Sequence, residues 1–307
     1  MTPPVGASAH RAEEAEADFP TVLDVLKDIF RELEGDGDMS LKVMKAATLK
    51  SEGKSMLIYS HSGTGKTWTL GSLPPSKTLI LDVDKGIETI SESDHDVVRP
   101  EGAEEILEIC RRLEAGELKY RFVGVDSLSE LEKLLQVERK RLKKREFLSL
   151  REYGESSEIL RELVRRFCAL RSHGITVVFT CLETLLDIQL SDDQIVSKSL
   201  PLLSKKLTLE VCGLMDLVCR LTINPSTGGR ELHFAGSNDF IAKTRVHAVD
   251  PVEPPDLTAL FRKVYGIKAP ADEQKTKEDT PSKNAPTKDK PKAETKNTKK
   301  NPEPSTK

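Results

Sequence analysis

Met56-Leu57-Ile58-Tyr59-Ser60-His61-Ser62-Gly63-Thr64-Gly65-Lys66-Thr67-Trp68-Thr69-Leu70-Gly71 is the stretch on which the reading of this chain turns. The apolar run Met56–Tyr59 reads as a short buried strand and Trp68–Gly71 as the opening of a helix. Between them lies a glycine-bearing loop that ends in Gly-Lys-Thr, the arrangement that wraps the phosphate chain of a nucleoside triphosphate. Gly63 and Gly65 can take positive φ and leave bare backbone against a phosphate. Successive N–H groups and the helix start then form a concave anion site. Lys66 reaches for the β- and γ-phosphates, and the Thr67 hydroxyl for Mg2+. The motif's first glycine is Ser60 here. The nucleotide-binding candidates are Ser60, His61, Ser62, Gly63, Thr64, Gly65, Lys66, Thr67 and Trp68, with ATP and Mg2+ as the expected cofactors.

Working outward, three further apolar runs end in polar residues: Thr78–Asp84, Phe122–Asp126 and Ile175–Thr180. In an open parallel sheet, ligands sit beyond the carboxyl ends of the strands. Asp126 therefore falls where an acid pairs with Thr67 and holds Mg2+. It can equally end a strand that leads, through Ser127, into a helix cap. Asp82 and Asp84 alternate onto one face. Asp84, nearer the strand end, is the choice for the carboxylate that orients or deprotonates the attacking water, with Asp82 and Glu88 as alternatives. Thr180 and Glu183 are candidate sensors of the γ-phosphate, although a solvated carboxylate accounts for Glu183 as well. Lys243 and Arg245, two apart on an extended segment, point the same way. They are candidates to neutralise γ-phosphate charge on an adjacent subunit, against the plain alternative of a basic strand end.

Strands alternating with helices predict an α/β fold with a mostly parallel central sheet flanked by helices. The expected helices run from Ala103 to about Ala115, from Ser127 to about Ser172 with an interruption near Tyr153-Gly154, and from Lys205 to Leu214. A polar loop is expected from Thr180 to about Ser197. Gly228-Gly229 predicts an antiparallel hairpin at one sheet edge. The expected domain organisation is a disordered N-terminus (1–18), a helix and linker (19–38, helix Thr21–Leu33), the nucleotide-binding domain (39–267) and a disordered basic tail (268–307). The chain has 307 residues, a formal charge of −3 and no apolar run near the ~18 residues needed to cross a membrane. Without a secretion signal at the start, a cytoplasmic protein with no membrane partner is expected. The five cysteines make no CxxC pair, so reduced core thiols are expected rather than a zinc site or disulfides.

The segments SHSGTGKT (60–67), LILDVD (79–84), FVGVDS (122–127), EYGESSEILRELVRRF (152–167), ITVVFTCLE (175–183), SLPLLSKKLTLEVCGLMDLV (199–218) and IAKTR (241–245) together resemble the RecA-like nucleotide-binding proteins of phages. That AAA-type ATP-binding family includes phage single-strand-annealing ATPases. IAKTR also resembles the Lys-x-Arg finger of RadA and of ring-shaped replicative helicases. The resemblance covers roughly Leu41 to Val246. It implies a RecA-like P-loop NTPase core, ATP with Mg2+, a homo-oligomer (ring or filament) and single-stranded DNA as partner. The tail or the N-terminal helix would offer contacts to a single-stranded-DNA-binding protein.

Evidence for DNA within the residues themselves is thinner. Arg139–Arg145 is a dense basic run, readable as a phosphate-facing surface or as a solvated face matched by Glu132, Glu138 and Glu146. The segment Leu185–Ser199 corresponds to the loop that meets DNA in RecA-like proteins, yet it carries Asp187, Asp192 and Asp193 against a single Lys198. The expected function is an ATPase acting on single-stranded DNA in phage recombination or replication. Its rivals are a nucleotide-gated loader or adaptor, and a small-molecule kinase, for which no arginine-bearing lid is seen.

Overall fold

The computed structural model describes residues 52–191 and 194–267. The expected disordered N-terminus, the helix at Thr21–Leu33, the first residues of the expected domain (39–51), Asp192, Asp193 and the tail 268–307 lie outside those residues. The parallel strands are β1 (Ser55–Ser60), β2 (Thr78–Asp82), β3 (Asp96–Val98), β4 (Phe122–Asp126), β5 (Thr176–Ser191) and β7 (Leu217–Ile223). With β8 (Arg230–His233) and β10 (Val252–Glu253) the order across the sheet is β3-β2-β4-β5-β1-β7-β8-β10. The last two strands are antiparallel additions, which gives the edge hairpin the sequence predicts. β6 (Gln194–Pro201) pairs with β5, and β9 (Lys243–Thr244) with the start of β7.

The central strands are buried along their length, as parallel strands covered on both faces must be. Their side chains alternate between two apolar layers. Leu57, Tyr59, Leu79, Leu81, Val123, Val125, Val177 and Phe179 pack under helices α2 (Ala103–Glu114), α3 (Leu128–Leu142), α4 (Leu150–Ala169) and α5 (Lys205–Leu214). Met56, Ile58, Ile80 and Val178 face the other layer, covered by Leu70 of α1 (Lys66–Leu70) and by Leu257, Leu260 and Phe261 of α6 (Leu257–Val264). Continuing this alternation puts Ser60, Asp82, Asp126 and Thr180 on the α1 face, the first three at the last residues of β1, β2 and β4 and Thr180 within β5. The register agrees, since Asp82 lies opposite Asp126 and Ile58 opposite Thr180. All five cysteines are buried and unpaired. Among the described residues no helix is long and apolar enough to cross a membrane.

The structure corrects three expectations. Trp68–Gly71, read as the opening of a helix, is instead its end, since the helix runs Lys66–Leu70 and is capped by Gly71. The break in the long helical region falls at 143–149, not at Tyr153-Gly154. Lys144 takes positive φ after α3, and Ser149 with Glu152 forms a capping box that starts α4. Gly154 sits inside α4, where no neighbour crowds it. The polar loop after Thr180 is instead a two-stranded arm. β5 runs on to Ser191 and β6 returns, with Glu183 opposite Pro201 and Asp187 opposite Ser197. Backbone pairing with β6 carries β5 on beyond the last residue of β1, where Ser60 lies opposite Leu182.

Gly124 shows how tightly α1 is seated on the sheet. A Cβ there would stand 2.8 Å from Leu70 Cδ2 and 2.9 Å from Cδ1. Gly124→Val is expected to lift α1 and with it the phosphate loop. Overpacking of this kind costs about 1–3 kcal/mol, to be read as a lower urea midpoint together with weakened nucleotide affinity.

Candidate nucleotide-binding site

The loop between β1 and α1 uses glycine where its backbone demands it. Gly63 has φ +77° and Gly65 φ +108°, a region costly for a side chain. Ser60 does not take positive φ, so the motif's first glycine is dispensable here. The serine is put to use: its hydroxyl donates to the His61 carbonyl at 3.1 Å and lies 3.3 Å from Lys66 Nζ. Lys66 Nζ also donates to the carbonyls of Ser60 (3.2 Å) and His61 (3.0 Å). The ammonium is thus held by neutral oxygens, with no carboxylate in ion-pair contact among the described residues. Burial lowers its pKa, opposed by the nearby Asp126. Because α1 is so short, the anion site rests on loop N–H groups and Lys66 more than on a helix dipole.

Asp126 is nearly inaccessible to solvent. One carboxylate oxygen accepts the Thr67 hydroxyl at 2.6 Å, and the other accepts the Thr180 hydroxyl. The backbone carbonyl of Asp126 accepts the N–H groups of Val83 (2.7 Å) and Asp84 (3.2 Å), which fixes the chain leaving β2. Ser127 follows through a cis peptide bond and its hydroxyl caps α3 by accepting the Glu130 N–H. Both sequence readings of this position therefore hold together: Asp126 meets Thr67, and its neighbour caps a helix.

The two acids after β2 part company. Asp82 is buried in an ion pair with Arg99 (2.8 Å) and accepts the Gly86 N–H at 2.9 Å, so it is committed to the fold. Asp84 lines a cavity of about 390 Å³ together with Ser62, Gly63, Gly65, Lys66, Thr67, Trp68, Glu130 and Arg230. Burial of its inner side, with Asp126 nearby, raises its carboxyl to about 6. Glu88 does not line this cavity; it borders another, of about 470 Å³, which Trp68 and Gly71 also line.

The two candidate sensors also separate. Thr180 reaches Asp126, whereas Glu183 alternates onto the opposite face. Its buried carboxylate accepts from Arg220 Nη2 at 2.7 Å and lies 3.6 Å from His61 Nε2. Lys243 and Arg245 point together, as expected: Lys243 Nζ donates to the carbonyls of Cys212 and Gly213 (2.9 Å each), and Arg245 to that of Gly213 (3.1 Å). They stand beside the start of β7, whereas the phosphate loop follows the end of β1. Within one chain the two groups belong to opposite ends of the sheet.

The ends of the basic run Arg139–Arg145 are paired by acids other than those expected, while Glu138 feels the nearby Arg141. Arg139 pairs with Glu155 and Arg145 with Glu152, both on α4. Glu132 instead receives the Ser204 N–H, and Glu138 that of Ala103. Arg230, at the start of β8, is a site residue that sequence reasoning missed. Its Nε donates to the Thr64 carbonyl at 2.7 Å and its guanidinium lies 5.6 Å from the centre of the Trp68 ring. The only sequence signal was its position directly after Gly228-Gly229.

The donor set fits a nucleoside triphosphate with Mg2+. A Cβ built at Gly63 would meet nothing within 4 Å, so the loop backbone there faces open space. Beside it are a buried ammonium and a hydroxyl–carboxylate pair of the hard-oxygen type magnesium prefers. Residues 52–246, more than half of the chain, match the family model described as an AAA domain. No curated protein matches the chain.

Asp84 has a measurable consequence for stability. Its folded pKa of about 6 lies above the ordinary value near 3.9. The folded state thus binds the extra proton between those values, and the wild type loses stability as pH rises from about 4 to above 6. Asp84→Asn is expected to be more stable than wild type at pH 7.5, with the difference vanishing below pH 4, in urea titrations of the nucleotide-free protein.

Proposed function

The chain belongs to the AAA domain family, and on that premise we propose that it is a magnesium-dependent ATPase acting on single-stranded DNA in phage recombination or replication. The observation that carries the catalytic half is the Asp126 carboxylate, bonded to the hydroxyl of Thr67 next to the Lys66 ammonium. Resemblance of seven sequence segments to phage RecA-like proteins supports the DNA half.

In this reading the loop N–H groups of 63–67 receive the phosphate chain. Lys66 exchanges the carbonyls of Ser60 and His61 for phosphate oxygens. Thr67 and Asp126 are the residues that would hold magnesium, which when bound offsets negative charge on the phosphates. Asp84, ionised above pH of about 6 and lining the cavity, takes the proton of an attacking water in this reading. Thr180 reports on Asp126 through their shared hydrogen bond. Lys243 and Arg245, remote from the loop of their own chain, act on the nucleotide of the next subunit in a ring or filament.

ATP turnover with and without single-stranded DNA tests this directly. Lys66→Ala is expected to abolish nucleotide binding. Asp84→Asn keeps binding and loses at least about 100-fold in turnover, the usual scale for a general base; unchanged turnover would remove Asp84 from the role. Arg245→Ala should regain activity when mixed with Lys66→Ala subunits, because each supplies what the other lacks. Slow turnover indifferent to DNA would instead favour a nucleotide-gated loader or adaptor. The engagement of Lys243 and Arg245 with the α5 carbonyls is the observation on that side.

A further inference from the structure

We propose that Arg230 is a phosphate-binding residue of the same site, supplied in cis by the β7–β8 hairpin. This rests on the nucleotide reading above and adds a second cation to it. The hairpin fixes where the residue starts. Asn224 N–H donates to the Gly229 carbonyl at 2.7 Å and Gly228 N–H to that of Asn224 at 2.8 Å, and the ladder opens with Arg230 opposite Ile223. From there the side chain crosses to the phosphate loop.

Three observations show what it is prepared for. The guanidinium lies against the loop backbone itself: a Cβ at Gly65 would stand 2.7 Å from Arg230 Nε and 3.3 Å from Cζ, so a side chain at 65 would collide with it. Gly65 thus serves twice, through its positive φ and through this close approach. Next, the group faces the cavity that Gly63, Lys66, Thr67 and Asp84 also line. Finally, its charge is unanswered. Other arginines near the site have carboxylate partners, Arg99 with Asp82 and Arg220 with Glu183. Arg230 has the Thr64 carbonyl and the Trp68 ring face, and no carboxylate in ion-pair contact among the described residues.

A guanidinium with one N–H on a carbonyl and a place in the cavity wall suits an oxyanion, which arginine binds through paired charged hydrogen bonds. Its contacts, the Thr64 carbonyl and the Trp68 ring, belong to the loop whose N–H groups cradle the α- and β-phosphates. The phosphates it meets are therefore the inner ones, common to ATP and ADP. A purely structural alternative exists, in which Arg230 only pins the Thr64 carbonyl. The two differ in whether the positive charge matters.

The test is calorimetric titration of the full chain with ATP, ADP and pyrophosphate at several KCl concentrations, for wild type and Arg230→Ala, Arg230→Gln and Arg230→Lys. Charge-assisted hydrogen bonds are worth about 1.5–3 kcal/mol. Arg230→Ala and Arg230→Gln should therefore weaken all three ligands by roughly 10- to 100-fold. Both should also show a shallower dependence on salt than wild type. Arg230→Lys, which keeps the charge, should recover much of the loss and the wild-type salt dependence. Three variants that weaken binding alike, with the salt dependence of wild type, would show a structural pin and overturn the inference. Wild-type binding that Lys66→Ala removes and Arg230→Ala leaves untouched would overturn this inference alone. A wild type that binds none of the three would overturn the nucleotide reading and this with it.

Discussion

The Asp126 carboxylate, with the Thr67 hydroxyl on one oxygen and the Thr180 hydroxyl on the other, is the constraint around which the rest of the molecule is arranged. A carboxylate buried this deeply costs several kcal/mol unless its lone pairs are answered. Answering them requires the end of β4, Thr180 of β5 and the first turn of α1 to meet within hydrogen-bond reach. Strand alternation brings Asp126 and Thr180 to one face, and the missing side chain at Gly124 lets Leu70 settle against β4 so that Thr67 arrives. The geometry that satisfies the buried acid is the same geometry that sets hydroxyl, carboxylate and ammonium around one cavity.

Charge pairing divides the surrounding residues into two groups. Asp82 with Arg99 and Glu183 with Arg220 are closed pairs, and breaking either would leave a buried carboxylate uncompensated. Lys66 and Arg230 are different, because both rest on carbonyl oxygens of the loop. Their positive charge is held in place without being neutralised by contact. Asp84 is the counterpart on the acid side, its pKa raised by partial burial and then by the nearby Asp126. A polyanion with a bound cation would satisfy all three groups at once.

Much of this was legible in the sequence, where one physical rule acted alone. Apolar runs of four or five residues gave the buried strands, and the rule that ligands gather beyond the carboxyl ends of parallel strands brought Asp126 to the loop. Where two rules competed, the sequence misled. Tyr153-Gly154 looked like a helix break, but the Ser149–Glu152 capping box four residues earlier fixed the real start of α4. Residues 181–191 read as a loop because their polar positions dilute the apolar signal, whereas backbone pairing with β6 needs no such signal. Asp82 and Asp84 could not be told apart until Arg99, 17 residues beyond Asp82, claimed the first. Arg230 was invisible because its contact with Thr64 spans 166 residues, a separation at which no local pattern operates.

In the proposed site Thr67 and Asp126 would hold a metal only when nucleotide is bound. Electron paramagnetic resonance of Mn2+, titrated into the full chain with and without ATP, measures this most directly. One tightly bound Mn2+ per chain is expected when ATP is present, lost in Thr67→Val and Asp126→Ala although both still fold. Nucleotide-dependent Mn2+ binding of equal strength in those variants would contradict it.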